Sequence, residues 1–181
     1  MAEYYNLKVA GLERKLTLCE VNEHLDIAGF IMFSDVELTV ACARDLLKKA
    51  PEFDVIVTAE SKGIPLAYEM ARQAGNGMKY IVARKMAKLY MKEPICVDVR
   101  SITTAADQKL YLDKNEADYL NGKRILVVDD VVTTGESLNA LRKLIDHTGG
   151  TVVGQAAVLA EGDASKRDDL IFLEPLPLFF K

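Results

Sequence analysis

Residues Arg124 to Ser137 read RILVVDDVVTTGES, and the order of residue types in this stretch decides the fold. Four apolar residues, Ile125 to Val128, lead into two adjacent carboxylates, Asp129 and Asp130, and a Thr/Gly/Ser turn follows. A short apolar run bounded by turn residues predicts a strand buried on both faces. Two like charges side by side cost free energy unless they have a ligand to bind. In open α/β sheets ligands sit beyond the carboxyl ends of the strands, and the acid pair falls at such an end.

Strand and helix patterns alternate on both sides of this stretch. DVIVTA (Asp54 to Ala59), KYIVAR (Lys79 to Arg84) and TVVGQAAVLA (Thr151 to Ala160) are β-branched or apolar runs of strand length. DVELTVACARDLLKKAP (Asp35 to Pro51) carries the apolar stripe of an amphipathic helix. PLAYEMARQAG has Pro65 suited to a first helical turn and Gly75 suited to a C-terminal cap. Leu138, Leu141, Leu144 and Ile145 recur at helical spacing, and Gly149 and Gly150 stop that helix. The pattern predicts an α/β fold: a mostly parallel twisted sheet with helices on both faces. CVDVRSITTAADQKLYLD (Cys96 to Asp113) departs from it and predicts a hairpin near the sheet edge.

Bulk composition narrows the function. A chain of 181 residues is the size of one domain, and residues 1–181 are read as such. Half the residues are hydrophobic, 28% are charged, and the formal net charge is −4. Without a long basic run, an electrostatic nucleic-acid binder is disfavoured. No apolar run reaches membrane-spanning length and the N-terminus lacks a signal-peptide core, so a cytoplasmic location is expected. Cys19, Cys42 and Cys96 are odd in number and widely spaced, which predicts buried, reduced thiols. His24 and His147 are too scattered for a metal cluster, and His147 suits a helix C-terminus.

The turn after the acid pair has its own chemistry. Thr133, Thr134 and Ser137 supply hydroxyls, and Gly135 lets the backbone approach a ligand closely. A helix opening there adds free N–H groups and the positive end of a dipole, which makes a cradle for a phosphate. Two carboxylates beside it accept hydrogen bonds from vicinal hydroxyls. A phosphate next to a diol describes a phosphorylated ribose. Helix capping by the acids is the plainer alternative, but one Asp would suffice for that. Neither G-x-x-x-x-G-K-[ST] nor G-x-G-x-x-G occurs in the chain.

ILVVDDVVTTGES resembles the phosphoribosyl-pyrophosphate (PRPP) motif of type I phosphoribosyltransferases. The likeness spans roughly Ala28 to Glu161. TAESKGIPLA resembles the pyrophosphate loop, VARKMAKLYMKEP the start of the mobile catalytic loop, and GFIMFSDVELT a segment of adenine phosphoribosyltransferases. The spacing ARK…CVDVRS…LVVDD is also similar to xanthine phosphoribosyltransferases and to the PRPP-binding domain of purine-operon repressors.

The resemblance implies transfer of ribose phosphate from PRPP to a purine, adenine favoured, with Mg²⁺ and release of pyrophosphate. It also implies a small hood over the base, built from residues 1–34 and 161–181. The ribose and 5′-phosphate fall to Asp129, Asp130, Val132, Thr133, Thr134, Gly135, Glu136 and Ser137. The pyrophosphate falls to Glu60, Ser61, Lys62, Gly63, Arg84, Lys85 and Lys88, with Lys88 and Asp130 in catalytic roles. Many relatives have Arg where Lys62 stands, and Lys lacks the bidentate fork. Mg²⁺ is expected near Asp129 and Asp130, mainly through water and substrate oxygens.

Several assignments keep two readings. Lys62 is a pyrophosphate ligand or an ordinary surface charge. Phe30 and Phe33 stack on the base or belong to a core cluster at the helix entry. Tyr90 and Met91 pack over the closed site or join the core, and Glu93 and Asp98 are candidate acid/base groups. Glu161, Asp163 and Arg167 hydrogen-bond the base edge or form a solvated turn. A homodimer is the expected assembly. The alternative function is a PRPP sensor without turnover.

Overall fold

The computed structural model describes residues 4–99 and 108–181. Its elements in chain order are β1 (Tyr4–Val9), β2 (Leu12–Asn22), β3 (Leu25–Ala28), α1 (Val36–Lys49), β4 (Val55–Ala59), α2 (Ile64–Ala74) and β5 (Lys79–Ala83). There follow β6 (Ile95–Val99), β7 (Gln108–Leu112), α3 (Lys114–Leu120), β8 (Arg124–Val132), α4 (Glu136–Asp146) and β9 (Thr151–Glu161). A 3₁₀ turn over Gly162–Lys166, β10 (Ile171–Leu176) and β11 (Phe179–Phe180) complete the described chain.

The central sheet has the order β10-β9-β8-β4-β5, with every neighbouring pair parallel. Period-two alternation splits its side chains between two cores. Val55, Val57, Ile125 and Val127 face α4, while Ile56, Leu126 and Val128 face α1 and α2. All seven are fully buried, which explains the uninterrupted apolar runs in the sequence. Burying each such side chain contributes about 1.5–3 kcal/mol.

The connectivity reverses between β4 and β8. From β4 the chain crosses through α2 to β5 on one side, and from β8 through α4 to β9 on the other. The ladder between β4 and β8 ends at Val57↔Val127, whereas β8 stays paired with β9 as far as Val132↔Ala160. A crevice therefore opens between β4 and β8 at their carboxyl ends, the position where such sheets bind ligands. The acid pair lies inside β8 rather than at its tip, because pairing with β9 carries the strand past Asp130 to Val132.

Two features were not read from the sequence. Strand β10 adds a fifth parallel strand, and β1, β2, β3 and β11 form an antiparallel sheet that joins the two ends of the chain. Ala10 and Gly11 both have positive φ and close the β1–β2 hairpin in two residues. The expected edge hairpin is present as β6 paired antiparallel with β7, and Arg84 and Tyr111 exchange two backbone hydrogen bonds that tie it to the end of β5. Its Thr/Ala/Asp turn lies outside the described residues.

Local signals behave as their chemistry dictates. Asp35 caps α1 by accepting the Leu38 N–H at 3.0 Å, and Gly75 ends α2 with a positive φ. His147 follows the last turn of α4, its Nδ1 2.6 Å from the Lys143 carbonyl. One expectation about the thiols fails: Cys42 alone is buried, its pKa pushed up to about 12 chiefly by desolvation, while Cys19 and Cys96 are exposed on β2 and β6. Those two strands each present a face to solvent, so an odd thiol there needs no core position. No helix among the described residues is long and apolar enough to cross a membrane.

Candidate active site

The crevice is a cleft of about 330 Å³. Sheet order fixes what lies where along it. Glu161 stands at the end of β9; Asp129, Asp130 and Thr133 belong to β8 and its turn; Ser61 and Lys62 follow β4; and Lys85 follows β5. Ile27 and Ala28 of β3 enter from the antiparallel sheet, and Lys109 and Leu110 from β7. Cations thus gather on the β4–β5 side, and apolar side chains with one carboxylate on the β9 side.

The acid pair is held stiffly. Asp129 accepts the Asp130 N–H at 2.9 Å. Burial, followed by the neighbouring Asp130 carboxylate, raises the Asp129 pKa well above the usual carboxylate range. Asp130 is 4% exposed, and among the described residues nothing donates a hydrogen bond to its Oδ2. Lys62 Nζ stands 3.8 Å from that oxygen. A buried oxygen without a donor is costly by itself, and it is answered by a ligand hydroxyl or a hard cation. This donor set fits Mg²⁺, which takes one or two carboxylates and otherwise substrate oxygens and water. Among the described residues no group of three or more His, Cys, Asp or Glu is placed to hold a metal alone.

The turn beyond the pair closes a second hollow of about 120 Å³, lined by Val132 to Ser137. Gly135 is the N-cap of α4 at φ 82°, a left-handed conformation that glycine adopts without cost. The first-turn N–H groups of α4 point into this end of the helix, where an anion is favoured. Arg167 packs against Gly135 from the far side, so a Cβ there would meet its guanidinium. Asp169 holds that guanidinium through two hydrogen bonds of 2.9 Å.

Gly63 serves closeness rather than conformation. A Cβ at this position would stand 2.5 Å from Thr58 Oγ1 and 3.2 Å from Asp129 Oδ1. The loop after β4 can therefore lie against the acid pair only with glycine there. The Glu60–Ser61 peptide bond in the same loop is cis.

The structure redistributes several expected roles. Glu60 accepts from Arg84 Nη2 at 3.0 Å and from the Lys85 N–H at 2.9 Å, with Lys88 Nζ 3.9 Å away. The Arg84 guanidinium, then the Lys85 N–H, hold its carboxyl below the usual range. Glu60, expected among the pyrophosphate residues, is thus engaged by the cations and orients them. Arg84 also donates to the Tyr90 hydroxyl at 2.8 Å, and Met91 Sδ accepts the Lys88 N–H. Of the three loop cations, Lys85 lines the cleft.

Phe30 is enclosed in the α1–α2 core at 3% exposure, and Phe33 is 47% exposed outside the cleft. Ile27 and Ala28 take the positions beside the cleft, because β3 ends at Ala28 and the chain then turns inward. Glu93 lies on the surface, and Asp98 pairs with Lys109 at 3.6 Å. Asp163 is an exposed partner of Lys166, whereas Glu161 is buried and accepts the Thr133 hydroxyl at 2.8 Å. Lys109 and Leu110 were missed. Their signal was an exposed Lys beside a buried Leu in a strand, but nothing local said which sheet the strand would meet.

An acid pair and an anion turn at the switch point of a parallel sheet define a domain that binds a phosphorylated, hydroxyl-bearing ligand. The chain belongs to the phosphoribosyl transferase domain family, whose model matches residues 37–174. It is 34% identical to the adenine phosphoribosyltransferase of Rhodococcus jostii over 71% of this chain and 69% of that protein. It is 31% identical to the hypoxanthine/guanine phosphoribosyltransferase of Methanococcus voltae over 77% and 70%. Among solved structures, the adenine phosphoribosyltransferase of Thermoanaerobacter pseudethanolicus shares the fold with a TM-score of 0.67, covering 96% of this chain and 95% of that one at 20% identity.

Proposed function

We propose that this protein transfers the 5-phosphoribosyl group of PRPP to a purine base, adenine favoured, and releases pyrophosphate. The observation that carries the reading is the order of charge across the cleft. The anion turn suits the 5′-phosphate, the acid pair suits the ribose diol, and Ser61, Lys62 and Lys85 suit the pyrophosphate. The base then lies on the remaining side, between Ile27, Ala28 and Val131 and the end of β9. Relatives named for adenine, hypoxanthine/guanine and xanthine support a purine, and several of them are adenine enzymes.

In this reading the protein works by position and electrostatics. As the bond from the anomeric carbon to pyrophosphate breaks, negative charge accumulates on the leaving group and positive charge on the ribose. Lys62, Lys85 and Lys88, oriented in part by Glu60, stabilise the first; Asp129 and Asp130 stabilise the second. Asp130 and Asp129 would also hold Mg²⁺, which supplies charge neutralisation of the pyrophosphate when bound. The first-turn amides of α4 anchor the 5′-phosphate so that the reacting carbon stays fixed.

We further propose that the domain spans residues 1–181, with 1–34 and 161–181 forming the hood, and that it works as a cytoplasmic homodimer. Exposed Ile31, Phe33, Val36, Val40 and Tyr68 around the α1–α2 face support association through that face. Calorimetry tests the site: PRPP with Mg²⁺ is expected to bind at least tenfold more tightly than ribose 5-phosphate. Equal affinities would remove the pyrophosphate subsite and with it the proposed reaction.

A further inference from the structure

Joining a purine to ribose leaves a proton without a home, because the attacking five-membered ring starts with one N–H. The proposed function above uses Asp129 and Asp130 on the diol side and leaves this proton unplaced. Among the described residues four carboxylates line the cleft, and three of these already have partners. Glu60 is bound to Arg84 and the Lys85 N–H, Asp130 faces Lys62, and Asp129 accepts the Asp130 N–H.

Glu161 differs from them in three ways. It stands at the end of β9, on the opposite side of the acid pair from Lys62 and Lys85. It is 6% exposed, yet among the described residues it makes no ion pair. Its one side-chain hydrogen bond among the described residues comes from Thr133, which donates to Oε2 at 2.8 Å. The Thr133 residue itself is exposed to the cleft, so a buried acid stands behind a hydroxyl whose lone pairs remain available.

We infer that Glu161 is the proton acceptor of the transfer, reached through the Thr133 hydroxyl. This rests on the proposed function, and it assigns to the β9 side a group that the fold alone does not. The purine ring nitrogen donates its electron pair to the anomeric carbon, and the carbon–oxygen bond to pyrophosphate breaks with its pair leaving on pyrophosphate. The ring N–H proton passes to Thr133 Oγ as the Thr133 proton passes to Glu161 Oε2. Glu161 then returns the proton to water after the nucleotide leaves, so no other reactant is needed. Thr133 opens the anion turn and lines both hollows. With its hydroxyl turned to Glu161 it is the group that touches the base, and the 5′-phosphate is left to the turn from Thr134 onward. Glu161 acts through Thr133 as the positioning and accepting residue.

The experiment measures pyrophosphate release and PRPP binding for wild type, Glu161→Gln, Thr133→Val and Thr133→Ser, using the base the wild type turns over fastest. General-base help is worth roughly 10²–10⁴-fold, so Glu161→Gln and Thr133→Val are expected to lose about 10²-fold or more in kcat. PRPP affinity by calorimetry should change less than about threefold in Glu161→Gln, which also shows that the variant is folded. Thr133→Ser, which keeps the hydroxyl, should recover most of the loss. A second readout separates proton transfer from packing. With 8-azaadenine, whose ring N–H is more acidic than that of adenine, the deficit of Glu161→Gln should shrink, since a better acid needs less help from a base.

Wild-type kcat in Glu161→Gln, or a deficit equal for both bases, would overturn the inference while leaving the transferase reading intact. Absence of turnover by the wild type with every purine would overturn both.

Discussion

The acid pair and the cations face each other across the cleft but are held by different physics. Asp130 is 4% exposed on a strand whose neighbours Ile125 to Val128 are fully buried, and the Gly63 loop presses against Asp129 without room for a methyl group. Lys62 is 53% exposed in its side chain, and Lys85 is exposed at the loop that follows β5. A charge fixed in a low-dielectric wall cannot be replaced by a neighbour, whereas solvated cations share a task and are screened. One side of the cleft should therefore be intolerant of change, and the other redundant.

The largest effect tests the intolerant side. Asp130→Ala removes the buried acceptor proposed for the ribose diol, and each hydrogen bond to a charged group is worth about 1.5–3 kcal/mol. PRPP affinity by calorimetry should fall by on the order of 10²-fold or more, while the melting temperature of the empty protein holds or rises, since an unpaired buried oxygen is gone. An equal loss of stability would mean that the pair serves the fold and not a ligand.

Gly63→Ala comes next. Thr58 is fully buried and has no space to retreat from the new methyl, so overpacking should cost about 1–3 kcal/mol, read by denaturant unfolding. Gly29→Ala is the useful contrast. Neither glycine has a positive φ, and a Cβ at Gly29 would meet nothing closer than 3.5 Å. If both lose the same, the loop is not pressed against the pair.

Asp129 gives a pH-dependent test. Its pKa is raised in the folded protein, so the folded state binds more protons than the unfolded state in the window between the ordinary carboxylate value and the raised one. Its contribution is fully present below the ordinary value and is lost as pH rises through the window. Asp129→Asn should therefore stabilise the empty protein at neutral pH, on the order of 1–2 kcal/mol relative to wild type, and by less near pH 4. A constant difference across pH would remove burial as the cause of the shift.

The smallest effect belongs to the redundant side. Lys62→Ala should weaken PRPP binding by about 1 kcal/mol or less, and added salt should narrow the gap further. A loss as large as that of Asp130→Ala would erase the contrast between the two walls.

The same contrast explains what was legible in the sequence. The floor of the site, Asp129 to Ser137, is one continuous segment whose apolar run, acids and Thr/Gly turn each carry a local physical meaning. The parallel sheet was legible for the same reason, since β4, β5, β8 and β9 lie between helices and read as apolar runs. The β9 side is assembled from Ile27 and Glu161, which are far apart in sequence and brought together by pairing between β9 and β10 and between β3 and β11. Strands β1 and β2 alternate between exposed and inward positions but bury few side chains, among them Leu7, Val9 and Leu16, so no apolar run marks them. Phe30 and Phe33 drew attention as flat side chains suited to a base, yet the turn after β3 gives Phe30 to the core. Contact choice of that kind is set by tertiary packing, which local pattern does not encode.

The most direct test of the central claim is pyrophosphate release from PRPP, measured with purified protein and a panel of purine and pyrimidine bases, with and without Mg²⁺. Mg²⁺-dependent release with a purine is expected, fastest with adenine, and none without a base. Tight PRPP binding with no release for any base in the panel would contradict that expectation and leave a protein that senses PRPP without turning it over.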